Sequence, residues 1–348
     1  MLVNRSLAQF SDWSYFTAFA LYLLAFVVAI AYYTRRIAIL EHSRQESERQ
    51  LATVAAGAQT AGGVDSDSVL GDGGAVAPEA SDSAASESTS VAKYAKQAKT
   101  LAMVMETLIY GGVAVHLASV VLRGLATQRF PWANLYEYIS VSLLFSMVVA
   151  AAVLNRETMR VFWPWLLAPV LALMFYGGKN LYAEAAPVVP ALQSIWLPIH
   201  VSVISIGSSI ALVSGVASIL YLIRMYQPKG EEKGLLGKII MPLPSAQKLD
   251  VVAYRTAIWA FPIFGLGIVL GAIWAEAAWN RYWGWDPKET VALISWVLYA
   301  VYLHARATSG WRNTKAAWIN IVAFATMVFN LFFINLVVSG LHSYAGLN

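Results

Sequence analysis

An all-α, polytopic membrane bundle is the fold class this sequence predicts, and three observations predict it. Apolar residues come in continuous runs of about 20, the length that carries a helix across a hydrocarbon core of roughly 30 Å. Of 348 residues, 58% are hydrophobic and only 13% are charged, against about 25% charged in an ordinary soluble domain. The mean hydropathy is +0.58. The runs are unbroken rather than alternating, and backbone groups in lipid must bond within their own segment, so the spans are helices and not barrel strands.

Eight spans are predicted, near 13–33, 101–122, 136–154, 161–176, 198–223, 256–274, 290–305 and 316–339. The first follows a stretch with one cation, Arg5, and reads as an uncleaved anchor. The fourth is short and carries Pro164 and Pro169, which blur its ends. The seventh has the sharpest start: Asp286 suits the N-cap, Pro287 the first helical position and Glu289 the third, where a capping-box carboxylate belongs. Asn330 and Asn335 in the eighth are candidates for interhelical hydrogen bonds.

Basic residues orient the set. With the N-terminus outside, the outer segments hold only Arg5, Arg123, Arg129, Lys179, Arg281 and Lys288 of the 24 Lys and Arg residues. That asymmetry is the positive-inside pattern, and an even number of spans then puts both termini outside the cytoplasm. The net charge of +4 therefore reads as topology rather than as a nucleic-acid signal.

Three regions follow: an N-terminal transmembrane anchor over 1–34, a cytoplasmic linker over 35–100, and a membrane core over 101–348. Residues 43–99 are rich in Ala, Gly, Ser, Asp and Glu with one aromatic, Tyr94. Such a composition buries little apolar surface, so the linker is expected to be largely disordered. A second inner loop spans 227–250.

The chain has no cysteine, which excludes disulfides, thiolate nucleophiles and thiolate metal ligation; any thiol chemistry must come from another molecule. Its chemistry-bearing residues converge on one outer segment, 274–289, WAEAAWNRYWGWDPKE. Lone tryptophans are common where membrane meets water. Trp274, Trp279, Trp283 and Trp285 within twelve residues instead form an apolar shelf suited to a large flat ligand. Trp283 and Trp285 flank Gly284, a spacing that can present two rings around such a ligand.

Of five histidines, His200 sits at the outer start of span five and His342 just beyond span eight, both at the depth of the shelf. Two neutral imidazoles can take the axial positions of a haem iron; two unrelated surface histidines are the plainer alternative. His116 and His304 lie within spans. For His116 the alternative is a hydrogen-bonded core residue, and for His304 an inner-interface residue near Arg306. His42 falls in the linker. Arg123, Arg129, Arg281 and Lys288 are either partners for a ligand carboxylate or solvated loop cations. Glu137 reads as a helix-dipole partner at the start of span three.

The run WAEAAWNRYWGWDPKETVALISW resembles the tryptophan-rich WWD signature of the haem-handling proteins of cytochrome c biogenesis. Within them the chain is similar to the CcsA/ResC component of system II, called CcsB in some bacteria. Supporting positions are His116 with Arg123, Pro131 with Asn134-Leu135-Tyr136-Glu137, His200, His304 and His342. The resemblance covers spans two to eight. It implies a subunit of a cytochrome c synthase that binds haem b and presents it outside the membrane to the Cys-X-X-Cys-His segment of apocytochrome c. It further implies His200 and His342 as axial ligands, and Trp279, Trp283, Trp285 and Asp286 around the haem. His304 would be a transient ligand on the inner side. Implied partners are a ResB-like membrane protein, apocytochrome c and a thioredoxin-like thiol reductant, in a bacterial cytoplasmic membrane. A haem transporter without attachment activity is the alternative function. One departure stands out: where the family has Gly after its second signature tryptophan, this chain has Asn280.

Because the chain has no native cysteine, a Tyr282→Cys variant provides a single label. A membrane-impermeant maleimide is expected to reach it in intact cells; labelling only after permeabilisation would reverse the topology.

Overall fold

In the computed structural model, residues 3–61, 79–154, 156–187 and 192–342 are described. Helices run α1 Arg5–Ala61, α2 Glu79–Thr127, α3 Leu135–Val153, α4 Trp163–Asn180, α5 Trp196–Tyr226, α6 Gly234–Ile240, α7 Ala246–Trp279, α8 Pro287–Ala307 and α9 Thr314–Phe329. A 3-10 turn, Glu157–Phe162, leads into α4, and a π-turn, Asn330–Ile334, closes α9. Eight of these segments, all but α6, are long and apolar enough to cross a membrane, matching the eight predicted spans.

The expected linker is helical where it is described. Helix α1 continues through 43–61 and α2 already covers 79–99; the intervening 62–78 lie outside the described residues. Within the spans the two helices pair along a seam. Tyr15, Ala18, Tyr22, Ala25, Ala29 and Tyr32 are buried along α1 at alternating three- and four-residue steps, the 3.5-residue repeat of a coiled-coil face. Ala98, Ala102, Met105 and Ile109 of α2 are buried with them, and the helices run antiparallel. Reciprocal 2.8 Å hydrogen bonds join Ser11 and Ser119, each hydroxyl donating to the other residue's carbonyl. Tyr22 packs so closely on Gly112 that a Cβ there would lie 2.5 Å from its ring. Farther along, the His42 and Tyr94 rings stack 5.8 Å apart, and Arg35 lies over Tyr94. Small residues within the spans, Ala18, Ala25, Ala29 and Gly112, are what allow the close approach.

Helix α5 is the central element: 72% of its apolar window is buried, against 22–56% for the other spans. It meets α7 through backbone contact. A Cβ on Gly207 would lie 2.8 Å from the Phe264 backbone, and one on Gly267 would lie 2.8 Å from Ile204. Small residues at such crossings are how membrane helices gain packing without a hydrophobic driving force.

At one end of the bundle, a buried carboxylate fixes the loop that enters α3. Asn134 caps α3 by accepting from the Glu137 amide at 2.8 Å. The Glu137 carboxylate accepts from Arg123 at 2.9 Å, from Arg129 at 2.8 and 3.0 Å, and from the Ala133 amide at 2.8 Å. Arg129 also donates to the Ala186 carbonyl and Arg123 to that of Ala183. These arginines are thus neither solvated loop cations nor ligand partners; they tie the 181–187 segment to α2 and α3.

At the opposite end Arg224, 1% exposed, donates to Glu232 at 2.8 Å and to the carbonyls of Met241, Leu243 and Pro244, which organises the 227–245 loop. Arg306 pairs with Asp250 at 2.7 and 2.8 Å.

Glu137→Gln leaves two buried guanidinium groups without a counter-charge, and is expected to cost about 3–5 kcal/mol. The check is a lowered apparent Tm of the detergent-solubilised protein together with faster proteolysis of the 123–135 loop.

Candidate functional site

The Glu137 end of the bundle contains a cleft between α3, α5, α7, α8 and α9, enclosing about 1210 Å3 of space including its open mouth. His200, Trp274, Trp279, Trp283, Lys288 and His342 are among the residues that line it. Sequence-distant parts of the chain, the first turn of α5 and the segment after α9, meet here across the tryptophan segment.

His200 is held on two sides. Its Nδ1 is 2.8 Å from the Gly267 carbonyl, an acceptor, so Nδ1 carries the proton and Nε2 the lone pair. Its ring stacks on Trp274 at 6.0 Å and 7°. Gly271 leaves the room for this pose: a Cβ there would come 2.6 Å from His200 Cε1.

His342 is fixed by Asp286, whose Oδ2 accepts from Nδ1 at 2.8 Å. The same logic places the lone pair on Nε2. A carboxylate behind an imidazole is the usual way such a ring is oriented and made more basic as a metal ligand. Burial lowers the His342 pKa, opposed by the Asp286 hydrogen bond. Burial raises that of Asp286, but hydrogen bonds from His342 and the Leu341 and Lys288 amides outweigh it and hold the carboxyl below its usual value.

Asp286 does more than orient His342. Its side chain accepts from the Lys288 amide at 3.2 Å, and Glu289 accepts from the Asp286 amide at 3.1 Å, so the predicted capping box is present at the start of α8. Its Oδ1 accepts from the Leu341 amide at 2.7 Å. Glu289 also accepts from the Gly284 amide at 3.0 Å.

The tryptophans divide into three roles. Trp274, 1% exposed, forms the inner wall, with edge contacts to Trp279 at 4.7 Å and His342 at 5.8 Å. Trp279 and Trp283 line the cleft, and Trp279 also meets the His342 ring at 5.0 Å. Trp285 is outside that lining, 69% exposed, and packs edge-on against Trp283 at 5.7 Å. Its φ of 57° is left-handed, a region costly for a bulky residue, and that turn carries the ring outward. Trp283 and Trp285 therefore do not form two walls around one ligand. Asn280 sits at φ 56°, ψ 36° and terminates α7, its amide donating to the Glu276 carbonyl. Glycine is the usual residue in this conformation and asparagine the next best, so Asn280 suits the turn it makes.

The remaining sequence candidates lie elsewhere. His116 is fully buried between Tyr15 and Tyr22, with Nε2 3.1 Å from Ser140 Oγ; it is a core histidine of the α1–α2–α3 contact. His304 is exposed on α8 near its C-terminal end and does not line the cleft. Two functional-end features were harder to read from sequence: Gly271, whose role depends on a partner 71 positions earlier in the chain, and the π-turn of α9, which places Asn330 and Asn335 beside Lys288.

The cleft thus lies between membrane helices, is walled by indoles and carries two oriented imidazoles. Comparison with known proteins gives the class. Residues 132–342 match the family described as cytochrome C assembly protein, and the chain belongs to that family. It is 34% identical over 242 residues to the cytochrome c biogenesis protein CcsA of Guillardia theta, covering 65% of this chain and 80% of the relative. To CcsA of Chlamydomonas reinhardtii it is 38% identical over 230 residues, 63% of this chain and 62% of the relative. To CcsA of Synechococcus sp. (strain CC9902) it is 34% identical over 257 residues, 65% of this chain and 82% of the relative. The protein thus acts in cytochrome c biogenesis, as a membrane protein whose family handles haem. The matched family segment holds the cleft; α1 and α2 lie outside it.

Asp286→Ala removes a helix cap and two further hydrogen bonds at once, and is expected to cost about 1–3 kcal/mol. Faster amide hydrogen exchange confined to 335–342 and the first turn of α8 is the expected reading; exchange unchanged there would refute the role of the carboxylate in holding the segment after α9.

Proposed function

We propose that the chain holds haem b in this cleft and presents it, on the extracytoplasmic side of a bacterial cytoplasmic membrane, for thioether attachment to apocytochrome c. The observation that carries this reading is the matched state of the two imidazoles: each has Nδ1 engaged by an acceptor and Nε2 in the lone-pair state that iron requires. His200 and His342 are the axial ligands. Trp279 and Trp283 contact the porphyrin, Trp285 stands beside the mouth, and Asp286 acts through His342.

The chain itself needs no reactive nucleophile. The acceptor's two cysteines add across the vinyl groups of haem, and each thiol proton balances the vinyl carbon that does not bond sulfur. The cleft contributes orientation and axial ligation. The absence of cysteine is consistent with that division of labour, as is a requirement for a thioredoxin-like reductant that keeps the acceptor thiols reduced. On this reading the protein is the haem-presenting subunit of a cytochrome c haem lyase of system II.

His304 is proposed as a transient haem ligand on the inner side. Its exposure on the outer surface of the bundle fits a second ligand donated by a neighbouring protein, here a ResB-like partner, rather than by this chain.

His200→Ala and His342→Ala are each expected to lose the low-spin bis-histidine absorption of the purified complex, and to recover part of it with added imidazole. Unchanged spectra in both variants would refute the axial assignment. His304→Ala is expected to slow cytochrome c maturation while leaving the spectrum of externally added haem intact.

A further inference from the structure

We propose that Lys288, with Asn335 beside it, is an anion subsite inside the cleft that takes a carboxylate of the bound planar ligand. The proposal rests on the porphyrin reading above and deepens it. Lys288 is the second residue of α8 and lines the same cleft as His200 and His342. Its Nζ donates to Asn335 Oδ1, a neutral acceptor. An ammonium has three N–H groups, and among the described residues Lys288 forms no ion pair. The other cations near the cleft differ: Arg123 and Arg129 share Glu137, and Arg281 lies 3.5 Å from Glu289.

The Asp286 carboxylate acts on the ammonium through space but makes no hydrogen bond to it. Asp286 accepts from the backbone amide of Lys288, from Leu341 and from His342, and not from Nζ. A lysine in an apolar, indole-walled cleft that forms no ion pair among the described residues can take an anionic ligand, because pairing offsets the cost of its desolvation.

The local backbone is built around this lysine. In a regular helix, residues five apart point in different directions. The π-turn Asn330–Ile334 widens one turn to five residues, which brings Asn330 and Asn335 to the same side, facing α8. Asn330 donates to the Lys288 carbonyl at 3.2 Å, and Asn335 anchors itself on the Leu331 carbonyl at 2.6 Å while accepting from Nζ. Asn330 Oδ1 is buried with no hydrogen-bond partner, a further polar atom at this edge of the cleft. Single π-turns of this kind are frequent at functional sites. Both amide NH2 groups are spent on backbone carbonyls, so the lysine ammonium alone supplies the donors for a single carboxylate at the edge of a flat ligand.

The test uses the purified full-length protein with two probes, haem and haem dimethyl ester, whose edge carboxylates are masked. Wild type is expected to bind haem about tenfold more tightly than the diester, the size of one charge-assisted hydrogen bond. Lys288→Met is expected to bring haem affinity down to that of the diester while keeping the low-spin spectrum, and Lys288→Arg to restore the difference. Lys288→Gln, which still donates to Asn335, serves in its place if the Met variant does not fold. Equal affinity of wild type for both probes, or a full difference surviving in Lys288→Met and Lys288→Gln, overturns the subsite. Wild type binding neither probe overturns instead the porphyrin reading on which the subsite stands.

Discussion

One carboxylate, Asp286, holds the cleft end of the molecule together. It caps α8, receives the backbone of the segment after α9 at Leu341, and orients His342. These contacts join elements that no continuous secondary structure connects, and all are made by a side chain only 7% exposed. A negative charge so buried is tolerable because the donors surround it: an imidazole, two amides and the positive end of a helix. Removing it would release a cap, a chain segment and a ligand-bearing ring together, so the coupling between the tryptophan signature and His342 is chemical rather than merely spatial.

A second buried carboxylate, Glu137, does parallel work on the other wall. Its two arginines and the Ala133 amide set the loop before α3, and that loop contributes Trp132 and Asn134 to the cleft. The site is thus framed by two charge-assisted networks whose partners are supplied within the protein, while Lys288 between them has a neutral partner only. The contrast is informative because membrane interiors make unmatched charge expensive.

Much of this was legible in the sequence. The span count followed from continuous apolar runs, and the capping box from Asp286-Pro287-Lys288-Glu289, since both depend on residues close in the chain. The meeting of His200 with His342 at one cleft followed from shared depth alone. What sequence obscured was set by long-range packing. The α1–α2 seam depends on partners far apart in the chain, such as Ser11 and Ser119, and a 3.5-residue repeat at Tyr15, Ala18, Tyr22, Ala25 and Ala29 is its local trace. The end of α9 was extended to 339 because hydropathy does not register a π-turn; Asn330 and Asn335, five apart, were its only trace. Trp285 was placed with its neighbours because its left-handed backbone, which turns the ring out, leaves no mark in composition.

The glycine-mediated contact between α5 and α7 constrains how the site can change shape. Where Gly207 meets the Phe264 backbone and Gly267 meets Ile204, there is no layer of side chains to slide or repack. The two helices carry His200 and Trp274 on one closely packed face, so a shift of His200 would have to take both helices with it, while His342 and Lys288 come from the facing side of the cleft.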